Sequence, residues 1–160
     1  MKTNNFNIRT TQKDEYLTPI SIIQALGKFK LDPCSPIKRP WDTAEIHFSK
    51  KDNGLIKKWK GRVWLNPPYG SETKKWLKKL AKHKNGIALI FARVDTRMFF
   101  KYVWGEADAI LFLKGRIAFY SVTGEKLLKA MAPSCLIAYG KNNINSLKKS
   151  NIEGFLVKLK

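Results

Sequence analysis

The amino-acid sequence predicts an α/β fold: a mostly parallel sheet with helices on both faces, in one compact domain over residues 1–160. Two observations carry this. Strand and helix signals alternate over residues 18–113, which is the signature of βαβ units. No internal repeat or low-complexity linker divides the 160 residues, a length typical of one domain.

The elements follow in order. Residues 1–15 read as a loose polar lead-in. Thr18-Pro19 reads as a helix start, with Thr18 as N-cap and Pro19 at the first helical position. Ile22, Ile23 and Leu26 follow at helical spacing, and Gly27 ends the run. Residues 29–32 form a short strand ending in Asp32-Pro33. Residues 33–54 are irregular, with a short strand at 44–48. A second strand, 62–65, is broken at once by Asn66-Pro67-Pro68-Tyr69-Gly70. Ser71 is placed to cap a helix over 72–84, where Trp76, Leu77, Leu80 and Ala81 make one apolar stripe and the lysines face elsewhere. Residues 86–92 are the clearest buried strand. Asp95 or Thr96 caps the next helix, which carries Met98, Phe99, Tyr102 and Val103 and stops at Gly105. Strands at 109–113, 117–120, 134–139 and 154–159 make the last third richer in strand.

Composition narrows the function. The chain has 31 Lys+Arg against 12 Asp+Glu, a formal charge of +19. Such a field attracts polyanions, nucleic acid first among them; a lysine-rich solubilising surface would give the same sum. Between Lys50 and Lys84 stand twelve Lys/Arg and only two acids, Asp52 and Glu72. The basic zone therefore lies inside the folded region. No apolar run approaches the ~18–20 residues of a membrane helix, and no secretory h-region stands at the start. Cys34 and Cys135, with His47 and His83, have no metal-like spacing, so neither a disulfide scaffold nor a zinc or other metal site is expected. A cytoplasmic setting is the default.

The segment Asn66-Pro67-Pro68-Tyr69 stands between a strand and a helix, where open α/β sheets bind ligands. Each residue before a proline is pushed to extended geometry. The prolines have no N–H, so this backbone offers acceptors only. The Asn66 side-chain oxygen and the Pro67 carbonyl can together accept both hydrogens of one exocyclic amino group. Tyr69 adds a flat face for stacking. That set suits methylation of an aromatic amine, whose lone pair is delocalised until its hydrogens are held. The acceptors act as preorganised electrostatic stabilisation of the developing positive charge, and positioning supplies much of the rest. A Pro-rich turn with Tyr69 as packing is the plainer reading of the same four residues.

In order along residues 14–119, the chain resembles the small phage-type Dam-like DNA N6-adenine methyltransferases. The matching pieces are Asp14 to Pro19, Leu31 to Ser35, Asp52 to Leu55 with Trp59 and Gly61, Val63 to Tyr69, Arg93 to Thr96, and Gly115 to Phe119. The resemblance implies a Rossmann-like fold that uses S-adenosylmethionine (AdoMet). It places Asp32 and Pro33 beside the methionine part of the cofactor, Thr18 and Pro19 over it, and Asp52 at its adenine or ribose, with Glu45 competing for the ribose. Asn66, Pro67, Pro68 and Tyr69 would form the catalytic segment around a base flipped from DNA. Phe119 or Tyr120 would give a second aromatic contact. Arg93, Arg97 and Arg116 would meet phosphates, or else form surface ion pairs with Asp95 or Glu106. The glycine-rich cofactor loop of many AdoMet enzymes is absent. There is no evident extra recognition domain, so specificity is expected to be short or supplied by a dimer partner; monomer and homodimer both fit. Other readings of the same chain are a methyltransferase for RNA bases or protein glutamines, and a basic DNA-binding protein with a degenerate pocket.

Overall fold

A computed structural model describes residues 15–160. The lead-in expected over residues 1–15 lies outside them, Glu15 excepted. Seven strands form the main sheet: β1 (Leu31–Asp32), β2 (Ile46–His47), β3 (Val63–Leu65), β4 (Gly86–Phe91), β5 (Ala109–Leu113), β8 (Ser134–Tyr139) and β9 (Gly154–Lys158). A hairpin of β6 (Ala118–Tyr120) and β7 (Lys126–Lys129) forms a second, two-stranded sheet.

The main sheet runs β2-β1-β3-β4-β8-β5-β9. The pairings among β2, β1, β3 and β4 are parallel. β8 is antiparallel to both β4 and β5, and β9 is antiparallel to β5. Five strands thus share one direction and two oppose it. The insertion of β8 between β4 and β5 could not be read from chain order, because strand signals carry no neighbour information.

Helices cover both faces, and alternation along the strands explains why. Val63, Leu65, Ala88, Ile90, Ile110, Cys135 and Ile137 point to one side. There they meet Trp76, Leu77, Leu80 and Ala81 of α2 (Thr73–His83), and Phe99 and Val103 of α3 (Arg97–Phe99) and its continuation. Trp64, Ile87, Leu89, Leu111, Leu136 and Ala138 point to the other side. They meet Ile23 and Leu26 of α1 (Ile20–Leu26) and Ile144 and Leu147 of α4 (Lys141–Lys149). Each fully buried aliphatic side chain contributes roughly 1.5–3 kcal/mol.

Several local expectations are corrected. Pro19, not Thr18, occupies the N-cap of α1. Ser71 does not cap α2, whose N-cap is Glu72 with no side-chain bond. The start of α2 is instead tied down by Thr73 Oγ1, which donates to the Pro68 carbonyl at 2.7 Å. Of the two caps expected for α3, Asp95 or Thr96, it is Thr96 that serves, accepting from the Phe99 N–H. That helix then widens into a π-helical turn over Phe100–Trp104, closed by the Gly105 N–H on the Phe100 carbonyl at 3.2 Å. Helix α4 and strand β7 were not expected at all. Helix α4 buries only Asn143, Ile144 and Leu147, too few apolar residues for a readable stripe. Strand β7 exposes Leu128 to 92%, so its apolar residues do not mark a core face. No helix among the described residues is long and apolar enough to cross a membrane.

Candidate active site

The parallel strands deliver the segments singled out in the sequence to one end of the sheet. β1 ends at Asp32, β3 at Leu65 and β4 at Phe91. A cleft of about 240 Å³ lies beyond these ends, lined by Pro33, Cys34, Ser35, Ser49, Asn66 and Pro68 among others. Of the residues expected at the cofactor and catalytic positions, Pro33, Asn66 and Pro68 line this cleft, and Thr18, Pro19, Asp32, Asp52, Pro67 and Tyr69 do not. Gly54 shows how closely the lining loops approach, since a Cβ there would stand 1.9 Å from the Pro33 carbonyl oxygen.

Asn66 is held in one orientation. Its Nδ2 donates to the Tyr16 carbonyl at 3.1 Å. A carbonyl can only accept, so the amide cannot be reversed without losing this bond. The opposite atom, Oδ1, is buried and has no partner among the described residues. The Asn66 main-chain carbonyl accepts from Cys34 Sγ at 3.3 Å, which joins the two loops. No described N–H or O–H donates to the Pro67 carbonyl. Tyr69 lies flat on Phe91, with ring centroids 4.2 Å apart and planes 16° apart. Phe119 meets the Tyr69 ring edge-on at 6.2 Å. The Tyr69 hydroxyl is buried without a partner among the described residues, and burial pushes its phenol well above the ordinary value.

Asp32 is buried. It accepts from the Cys34 N–H at 3.1 Å and from Thr43 Oγ1. Burial raises its carboxyl to about 6, against the opposing pull of those two bonds and of Arg39. Thr18 is also buried, and its hydroxyl has no partner among the described residues. Its carbonyl accepts from Trp41 Nε1 at 3.2 Å. Asp52 follows β2 and accepts from the N–H and hydroxyl of Ser49, both at 2.8 Å. Those bonds hold its carboxyl below the usual carboxylate range. Glu45 precedes β2 and pairs with Lys30; that salt bridge keeps its carboxyl low. Asp52 thus stands beyond the carboxyl end of β2, and Glu45 at its amino end.

The remaining candidates divide. Phe119 is buried against Tyr16 and Tyr69, so its ring backs Tyr69. Tyr120 is half-buried, with its ring edge-on to Trp41 at 5.2 Å. Its backbone pairs with Leu17 through two bonds of 2.8 and 2.9 Å. Arg93 and Arg97 are exposed after β4, and neither forms an ion pair among the described residues. Arg116 donates to the Met131 carbonyl, across the base of the hairpin.

Two contributors escaped sequence reasoning. Tyr16 acts through its carbonyl, which any residue possesses, so no side-chain signal could have marked it. Phe91 supports Tyr69 from the end of β4, where an aromatic residue reads simply as core. No group of three or more His, Cys, Asp or Glu side chains among the described residues could hold a metal ion.

No curated protein and no solved structure matches the chain. A family model described as DNA N-6-adenine-methyltransferase (Dam) does match it, over residues 5–150. That span contains the cleft, the Asn66 segment and every strand from β1 to β8. The chain belongs to the Dam family of DNA N-6-adenine-methyltransferases.

Proposed function

We propose that this protein transfers a methyl group from AdoMet to the N6 amino group of adenine in DNA. The observation that carries the reading is the Asn66 amide, locked by Tyr16 with its Oδ1 buried and unmet. A buried acceptor without a donor costs about 1–3 kcal/mol. An amino group brought to it relieves that cost.

The residues fit the cofactor. The buried Asp32 carboxyl closes β1, and the buried Thr18 hydroxyl, without a partner among the described residues, precedes α1. Both can hydrogen-bond a polar, cationic amino-acid moiety, with Pro19 and Pro33 beside them and Asp52 toward the ribose or adenine. The architecture supports a Rossmann-like reading, because parallel strands deliver these groups to one carboxyl edge. AdoMet supplies an electrophilic methyl group on a sulfonium sulfur.

The chain does the rest. Asn66 Oδ1 and the Pro67 carbonyl accept the two amino hydrogens and favour a pyramidal nitrogen. During methyl transfer these acceptors would stabilise the positive charge arising on the amino nitrogen. The excess proton then passes to water. Pro68 anchors α2 through Thr73 and keeps the segment rigid. Tyr69, backed by Phe91, stacks on a base that must leave the duplex to reach it. Arg93 and Arg97 meet the phosphate backbone, Arg116 braces the hairpin, and Phe119 and Tyr120 wall the pocket.

Transfer of labelled methyl from AdoMet to DNA, with RNA and protein acceptors competing, tests the reading. Label on adenine N6 is the expected result. Label on RNA or on glutamine would move the substrate. DNA binding with no calorimetric heat from AdoMet would make the protein a binding module.

A further inference from the structure

Four buried side-chain oxygens lack a partner among the described residues: Thr18 Oγ1, Asn66 Oδ1, Tyr69 Oη and Ser134 Oγ. Such atoms are few in folded proteins and each is costly. Three of the four belong to residues already placed at the candidate site. The fourth, Ser134, was not marked by any motif.

Ser134 opens β8 and is 1% exposed. It stands directly opposite Phe91 in the antiparallel ladder. Residues so paired project to the same face, with Cβ atoms about 4.5–5.5 Å apart. Phe91 carries the Tyr69 ring at 4.2 Å, so Ser134 stands on the Tyr69 side of the sheet. Its backbone is held in place, since the neighbouring Pro133 carbonyl accepts from the Ala92 N–H at 2.9 Å. Packing alone would be served by alanine, without the desolvated hydroxyl.

Ser134 adds a hydroxyl donor to those of Thr18 and Tyr69, which also lack a partner among the described residues. Asn66 Oδ1 and the Pro67 carbonyl only accept. An aminopurine also presents ring nitrogens, which need a donor. We infer that Ser134 is a substrate-contacting residue of the base pocket, its hydroxyl donating to a ring nitrogen of the extruded adenine. This rests on the methyltransferase reading above.

The test compares wild type with Ser134→Ala on DNA whose target adenine is replaced by its 1-deaza, 3-deaza or 7-deaza analogue. Methyl transfer and cofactor-free DNA binding are both measured. One deaza substitution is expected to lower wild-type kcat/KM about tenfold and to leave Ser134→Ala unaffected. Ser134→Ala on ordinary DNA should show the same tenfold loss with an undiminished Tm, because the hydroxyl has no partner to lose among the described residues. Equal sensitivity of both proteins to all three analogues would overturn the assignment. So would wild-type kcat/KM in Ser134→Ala. An inactive wild-type protein would instead remove the methyltransferase reading, and this inference with it.

Discussion

Two asparagines at opposite ends of β3 and β4 contrast an amide fully used within the fold with one used by half. Asn143 is fully buried. Its Oδ1 accepts from Arg62 Nε at 2.7 Å, and its Nδ2 donates to the Tyr139 carbonyl at 2.7 Å and to Asn85 Oδ1 at 3.2 Å. Arg62 also donates to the Leu26 and Lys28 carbonyls and to Ser146 Oγ, and it lies 4.1 Å from the Phe29 ring centre. The amino end of these strands is thus a saturated network joining α1, β3 and α4. At the carboxyl end, Asn66 uses its Nδ2, and its Oδ1 has no partner among the described residues. The same side chain is saturated within the fold at one end and, on the proposed function, keeps an acceptor for the substrate at the other.

The largest expected effect separates the two in activity. Asn66→Ala should lower methyl transfer by about 10²–10³-fold, the usual loss for one preorganised group. Only one hydrogen bond disappears from the fold, so Tm should fall by no more than about 2–4 °C. Unchanged transfer would refute the role of Asn66. Asn143→Ala should do the reverse. It strips a half-buried guanidinium of one acceptor and should cost about 3 kcal/mol in denaturant unfolding. Methyl transfer per folded molecule should stay at the wild-type level. A larger stability loss for Asn66→Ala than for Asn143→Ala would collapse the distinction.

Asp32 tests whether the cost of burying a carboxyl at this end of the sheet can be seen by pH. Its folded-state carboxyl sits at about 6, above the ordinary 3.8, with burial as the main cause. The native state therefore holds this proton more tightly than the unfolded chain. The resulting stabilisation is complete below the unfolded value and is lost as pH rises through about 6. Between about pH 4 and pH 7 the loss amounts to roughly 2 kcal/mol. Asp32→Asn should flatten that part of the stability curve. A curve of unchanged slope in Asp32→Asn would show that Asp32 is not the group responsible.

The unmet end was largely legible in the sequence, and the saturated end was not. Asp32-Pro33 and Asn66-Pro67-Pro68-Tyr69 announce themselves because proline and side-chain acceptors restrict local chemistry. Strand Ser134–Tyr139 is visible as an apolar run. Its place between β4 and β5 is not, since ladder partners depend on distant residues. Arg62, Asn85 and Asn143 are ordinary polar residues whose roles arise only when three segments meet. Thr18 reads as a helix cap, yet Pro19 takes the N-cap position and no side chain caps α1. Ser134 carries no local signal, and only its burial without a partner sets it apart.

The smallest effect extends the comparison to two lysines on α2. Lys79 donates to the Leu55 carbonyl at 2.7 Å and to the Gly54 carbonyl at 3.2 Å, and its ammonium lies 5.0 Å from the Trp59 ring centre. Burial lowers its affinity for a proton. The neighbouring Lys78 is exposed. Lys79 therefore uses its charge within the fold, pinning the turn that forms one wall of the cleft. Lys79→Met should weaken AdoMet binding a few-fold in calorimetry, a loss of about 1 kcal/mol. It should leave the salt dependence of DNA binding unchanged. Lys78→Met should leave AdoMet affinity alone, and if its ammonium meets a phosphate, the salt slope should drop by about one. Should Lys79→Met lower the salt slope instead, its ammonium would belong to the DNA surface, and the cleft wall would have to be held by Trp59, whose Nε1 donates to the Gly54 carbonyl at 2.8 Å.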